Sequence, residues 1–350
     1  MTQLISTLCL AGLVCFGATD SLHGAPPEPL NLSDYWDFSQ ARPVHFSVDN
    51  SEFSQDKEIE ASGLCADDEA VYLLCENPAG INLITIVRIA ITGEAPYSAT
   101  VLQYPYDGPD TRQFEGMTLH NRTFYIAYEQ GRSDETAAAG FLMQPQNGGT
   151  PRDYCPMPTG WQVVSTGRGR NVWGFEGMAV GNGNLYIMDE RDRLPEDAAY
   201  PERRDRTMLY AIPEPQSAEL PDVPTRRLAL EPPGPAGTRD QRLTDIYAAT
   251  LDKRGVILAA GSYGGSDRQW HYSLHAYDVQ TGASLAEYVL PIADWAKQGD
   301  PDGDRLATNL EGMTLGPNGD LWLVTDNGFH TWDGITLLVH VPKKAGRSIR

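Results

Sequence analysis

Short apolar runs alternate with polar turns along most of the chain, and one version of that pattern recurs. The segments "FEGMTLHNRTFYIAYEQ" (Phe114 to Gln130), "FEGMAVGNGNLYIMDER" (Phe175 to Arg191) and "NLEGMTLGPNGDLWLVTDNG" (Asn309 to Gly328) match closely. "ASGLCADDEAVYLLCEN" (Ala61 to Asn77) and "TDIYAATLDKRGVILAAGS" (Thr244 to Ser262) share the pattern. Each reads as a β-hairpin: an apolar strand, a turn rich in Asn, Asp and Gly, then a strand opening on Tyr72, Tyr125, Tyr186, Ile257 or Trp322. Two further candidate strands follow, such as "TMLYAIP" and "RRLAL" after the third hairpin and "SLHAYDV" and "SLAEYVLP" after the fourth.

The first polar residues of the units, taken as anchors, are Ser62, Glu115, Glu176, Asp245 and Glu311, recurring every 50 to 70 residues or about that. Four-stranded units at such a period, with no helical periodicity, predict an all-β protein: a β-propeller of five four-stranded blades, with six as the alternative. A pair of β-sandwiches is the competing architecture, and a fivefold repeat disfavours it. Too few residues follow Glu311 for a complete unit. The missing strand is expected from "PVHFSVD" (Pro43 to Asp49), which would join the first and last blades.

Composition narrows the partners. Asp and Glu number 47 against 27 Lys and Arg, a net charge of -20, which argues against nucleic acid as a partner. At 41% hydrophobic residues, the 350-residue chain can bury a large core. The apolar run from Leu4 to about Ala18, followed by small residues and prolines, reads as a signal peptide over residues 1–25, leaving a single propeller domain over 26–350. The expected setting is secreted or periplasmic, with no stable membrane insertion after cleavage, and the expected state is a monomer. Cys65, Cys75 and Cys155 leave the disulfide pairing open.

Candidate chemistry gathers at the hairpin ends. The start of a first strand and the end of the second lie together in an antiparallel pair, so the anchors should neighbour Glu76, Glu129, Glu190, Gly261 and Asp326. If each first strand is innermost, these acids ring the mouth of one funnel. Glu115, Glu176, Glu311 and Asp326 are the candidate catalytic residues. Crowded carboxylates need compensation, and two sources stand in the sequence. Arg112, Arg170, Arg242 and Arg305 precede the anchors, placed either to tie blades together by ion pairs or to hold an anionic ligand. The other source is a divalent cation. Asp300, Asp302, Asp304 and Glu311 stand at positions 1, 3, 5 and 12 of a stretch with the oxygen-ligand spacing of a calcium loop, although Arg305 replaces its glycine. Ca²⁺ is the expected metal, with Asp245, Glu129 and Glu190 as further candidate ligands. Gly63, Gly116, Gly177 and Gly312 follow their anchors, where a missing side chain would let backbones approach near the axis. Blade four has Ile246 there and reads as the least functional sector.

"GFEGMAV", "LYIMDERD", "LTDIYAAT" and especially "NLEGMTLGPNGDLWLVTDNGF" with "TLLVHV" resemble the phytase-like propeller family, described as having esterase-like activity of phytase. The likeness runs from about Glu58 to Val341. It implies a secreted or periplasmic propeller that binds calcium and hydrolyses a phosphoester or other anionic ester. Lysine is scarce, and no phosphate-binding lysines stand out. The alternative is a non-catalytic, calcium-stabilised binding or scaffold propeller, with a small anionic molecule or a protein as its ligand.

Overall fold

The computed structural model describes residues 27–48, 59–76, 83–93, 95–106, 112–130, 140–153, 175–189, 207–214, 224–235, 238–266, 269–299, 309–326 and 336–350. The stretch 1–25 read as a signal peptide, Cys155, Arg170, Glu190 and the stretch Asp300 to Arg305 lie outside them.

The described strands form five blades, antiparallel except for one strand added to blade one, so of the two predicted counts, five and six, five is correct. Their first strands are Ala61–Ala66, Arg112–His120, Phe175–Gly181, Arg239–Leu251 and Asn309–Leu315. These five strands contact one another around the axis and are therefore innermost. The second strands are Ala70–Cys75, Thr123–Gln130, Asn184–Asp189, Arg254–Gly264 and Leu321–Asp326. Thr207–Pro213 and Arg226–Leu230, then Trp270–Asp278 and Ser284–Leu290, complete blades three and four where the sequence placed them.

Second strands read as unbroken apolar runs because both faces of each blade are covered. In Ala70–Cys75 every residue is buried. Val71, Leu73 and Cys75 face blade five while Ala70, Tyr72 and Leu74 face blade two, joining different apolar clusters. The same division runs around the ring, with one cluster between each neighbouring pair of blades. Each fully buried Leu, Ile or Phe contributes roughly 1.5–3 kcal/mol. Cys65 and Cys75 are free and lie on opposite faces of blade one.

Closure uses the N-terminal segment twice. Arg42–Val44 pairs antiparallel with Leu338–Val341 and completes blade five. Phe46–Val48 then pairs in parallel with Tyr97–Pro105, the outer strand of blade one. One short segment thus fastens the last blade and the first, where a single strand was expected. The C-terminal residues also cross blades: Ile349 bridges Leu251, and Arg347 bonds Asp252 at 2.9 Å. One helix, Ile292–Gly299, links blades four and five, its Ile292, Trp295 and Ala296 buried. The i, i+3, i+4 spacing of those residues is helical, but the segment is too short to stand out among strands.

At the axis the backbones nearly touch. A Cβ on Gly116 would lie 2.2 Å from the Glu176 carbonyl oxygen, and one on Gly63 would lie 2.7 Å from that of Glu115. The expected packing reason for the glycines therefore holds.

Candidate active site

The inner strands share a bulge at one level. Ladder register skips a residue between Ala61 and Gly63, Phe175 and Gly177, Leu310 and Gly312, and Leu243 and Asp245, with a related shift between Phe114 and Met117. Such a bulge turns the extra residue out of the ladder. The looped-out residues are Ser62, Glu176, Glu311 and Thr244, with Glu115 in the matching place. Three predicted catalytic acids therefore occupy equivalent positions, each half-buried.

Blade four is out of step with its sequence alignment by one residue. Thr244 takes the anchor position, and Asp245 takes the position that glycine holds elsewhere. The fourth-blade anchor is corrected accordingly. Asp245 is fully buried, and its two oxygens accept backbone N–H bonds from Ile246 and Met313, both at 2.8 Å. Burial pushes its carboxyl well above the usual range, against those two bonds and with the Glu311 charge adding to the rise. Asp245 is thus a tie between blades four and five, away from the rim, and the structure does not present it there as a ligand. Thr244 adds a second tie through its hydroxyl, which donates to the Leu310 carbonyl. The alignment signal was present: Phe114, Phe175 and Leu310 each precede an anchor, and Leu243 precedes Thr244. On the second strand the same step makes Ser262, paired with Arg242, the counterpart of Asp326, in place of Gly261.

The described site lies between blades four and five. Arg242 Nη2 meets Glu311 Oε1 at 3.2 Å, with the Arg242 and Glu311 side chains 31% and 13% exposed. Asn309 Nδ2 donates to Asp326 Oδ2 at 3.3 Å, which fixes one carboxylate oxygen. Arg242, Ser262 and Tyr272 stand directly opposite one another on three adjacent strands, so their side chains share one face of blade four. Tyr272 is buried, and its hydroxyl is pushed up to about 12: burial is the main cause, Asp326 and Glu311 raise it further, and Arg242 opposes them. It therefore stays a neutral donor beside two carboxylates. Among the described residues the buried Ser262 hydroxyl has no hydrogen-bond partner. Blade four thus supplies the described cation and phenol beside Glu311 and Asp326. Asn309, Ser262 and Tyr272 escaped the sequence reading, because only strand register brings them beside Glu311 and Asp326.

Arg112 and Arg242 lie within inner strands, ahead of the rim positions. Arg112 pairs with Gln130, and Glu129 with Gln113, through their backbones. The Glu76 N–H donates to the Glu60 carbonyl at 2.7 Å, extending the blade-one hairpin toward the rim. Asp189, also at a strand end, is buried and accepts from the Met208 N–H at 2.6 Å, so it ties two strands of blade three. Among the described residues no group of three or more His, Cys, Asp or Glu side chains could hold a metal ion. Glu311 and Asp326 are hard oxygen donors of the kind Ca²⁺ takes, but the described residues alone do not make its cage.

A family model described as Phytase-like, esterase-like activity of phytase, matches residues 70–329. The chain belongs to this family. Among solved structures, this phytase-like chain is similar to the catalytic domain of a GH62 alpha-L-arabinofuranosidase from Coprinopsis cinerea, at 12% identity and a TM-score of 0.51, covering 88% of this chain and 98% of that one. An alpha-L-arabinofuranosidase from Podospora anserina is similar at 11% identity and a TM-score of 0.49, covering 88% and 98% of the two chains. A gluconolactonase from Xanthomonas campestris follows at 11% identity and a TM-score of 0.40, covering 91% and 95%. At 12% identity the likeness to the Coprinopsis cinerea domain concerns the propeller fold alone. No curated protein sequence matches the phytase-like chain. No helix among the described residues is long and apolar enough to cross a membrane.

Proposed function

We propose that this phytase-like propeller is a hydrolase of an anionic ester, a phosphoester or a carboxyl ester carrying negative charge, acting where blades four and five meet. The observation that carries the reading is the convergence of Arg242, Tyr272, Glu311 and Asp326 from four strands. A guanidinium and a neutral phenol supply donors for the substrate anion, and such donors stabilise charge that develops during acyl or phosphoryl transfer. In this reading Asp326, whose Oδ2 accepts from Asn309, takes the proton from attacking water. Glu311 positions Arg242, and Glu115 and Glu176 extend the acidic wall toward blades two and three. Arg112, Arg170 and Arg305 belong to the same reading as further anion-binding residues.

Ca²⁺ enters the proposal through the spacing of Asp300, Asp302 and Asp304 ahead of Glu311, with Glu129 and Glu190 as added oxygen donors. Its role here is to offset rim charge and fix the loop. A secreted or periplasmic monomer suits an ion of that kind, because calcium sites of modest affinity fill outside the cytosol. The test is turnover of phosphomonoesters, phosphodiesters and carboxyl esters by purified protein, with Ca²⁺ or with a chelator. The proposal expects turnover lowered about 10²-fold or more by Asp326→Asn, the usual weight of a general base. No turnover across the panel overturns it.

The second reading, a non-catalytic scaffold or binding propeller, draws on Asp245, Thr244 and the Arg242–Glu311 pair, all of which tie blade four to blade five. It expects Ca²⁺ to raise the melting temperature with no hydrolysis of any ester.

A further inference from the structure

A second concave site lies at the opposite end of the molecule. The hairpin turns that join inner to second strands, at Asp67 to Glu69 in blade one and Asn121 and Arg122 in blade two, stand a strand's length from the funnel rim. Six residues at roughly 3.3 Å each put them about 20 Å away from it. Between them opens a cavity of about 640 Å³, within the range of roughly 300–1,000 Å³ that holds a small molecule.

Its walls come from two blades and are fixed. Gln146 of blade two donates through Nε2 to Asp67 Oδ2 at 3.1 Å and lies 2.7 Å from the Tyr72 hydroxyl in blade one. Tyr72 donates to Asp67 at 2.7 Å, and the N–H groups of Glu69 and Ala70 donate to Asp67 Oδ1 at 2.9 Å. Burial works to raise the Asp67 pKa, but those bonds outweigh it and hold the carboxyl below its ordinary value. Asn121 and Arg122 both have positive φ, 48° and 59°, the fixed geometry of a tight hairpin turn.

The lining differs in kind from the acidic rim. Three acids, Asp67, Asp68 and Glu69, are nearly balanced by Arg88 and Arg122, within a chain of net charge -20. Arg88 is paired with Glu69 at 3.4 Å. No hydrogen bond or ion pair among the described residues engages the side chains of Asp68, Arg122 and Asn147, which border the same space. Asp68 presents a pair of acceptor oxygens, Arg122 a planar fork of N–H donors, and Asn147 one acceptor beside one NH2 donor. That combination meets neighbouring hydroxyls, which both give and take hydrogen bonds. Leu102 and Leu119 supply the apolar wall that the C–H face of a ring would cover.

We propose that this cavity binds a neutral polyhydroxylated ligand of the saccharide class, held across blades one and two by Asp68, Arg122 and Asn147. It is separate from the ester-hydrolase reading and from the residues of the funnel.

The test is saturation-transfer NMR and calorimetry of the full chain with neutral monosaccharides in one arm and neutral oligosaccharides in another, which separates a free sugar from a segment of a glycan. Inorganic phosphate forms a third arm. The expected result is saccharide binding that weakens about tenfold for each of Asp68→Ala, Arg122→Ala and Asn147→Ala, the loss of roughly one good hydrogen bond. Circular dichroism and any ester turnover should be unchanged in those variants, since none is buried or at the funnel. Glu311→Gln should leave saccharide binding intact. Absence of binding in both sugar arms, binding indifferent to all three substitutions, or a preference for phosphate over every sugar overturns the proposal.

Discussion

At the scale of single residues, two buried titratable groups respond to pH in opposite directions. His275 is buried, with Nε2 2.7 Å from the Ser273 hydroxyl, and burial lowers its pKa from 6.5 to about 4. Above pH 6.5 it is neutral whether the chain is folded or not. Between there and pH 4 the unfolded chain takes up a proton that the folded chain refuses, so stability falls by about 3 kcal/mol across that window. His275→Gln should flatten that part of a denaturant-melt pH series; an unchanged slope would show that His275 titrates freely. Asp245 has the opposite signature. Its folded pKa is raised, so its contribution is complete below the ordinary carboxylate range and is lost as pH rises through the raised value. Wild-type stability relative to Asp245→Asn should therefore decline from pH 4 upward, measured in the same series. Arg242→Ala removes the guanidinium 3.2 Å from the partly buried Glu311 carboxylate, and should cost about 1–2 kcal/mol while weakening binding of any ester substrate.

At the scale of elements, the inner strands are governed by how closely they approach. Gly116→Ala would set a methyl 2.2 Å from the Glu176 carbonyl oxygen and 2.6 Å from the Gly177 Cα, and both are backbone atoms that cannot step aside. Destabilisation of about 3 kcal/mol or more is expected, read as a lower denaturation midpoint; a loss under 1 kcal/mol would mean that the inner ring is loose. The blades themselves were legible in the sequence, because a strand buried on both faces must be a short apolar run ended by turn residues. Strands such as Thr207–Pro213 fell where the pattern put them. Bulges were not legible. A bulge moves side chains without altering the apolar pattern much, so "LTDIYAAT" offered Asp245 as an acid at the rim when Thr244 held that place. The partners of Glu311 were hidden for a related reason: Tyr272 and Ser262 reach the site only through the register of strands whose sequences carry no motif.

At the scale of the whole molecule, the ring depends on its junction. Arg42–Val44 closes blade five, Phe46–Val48 reaches onto blade one, and Trp36, fully buried, donates from Nε1 to the Gly319 carbonyl at 3.0 Å. Removing residues 27–48 should leave a fifth blade of three strands with an open edge, and the prediction is a large drop in melting temperature with association of exposed edges, measurable by calorimetry and light scattering. An unaltered transition would mean that blade five is stable without its outer strand. The same junction also sets a schedule. Arg42 leaves the ribosome long before His340, the residue it will face, so nearly the entire chain must be made while the earliest strand waits without its ladder. Pairing between such distant stretches is the slow kind. Whatever conditions lengthen that wait, a stalled ribosome among them, will fall hardest on the one seam that the other four blades cannot replace.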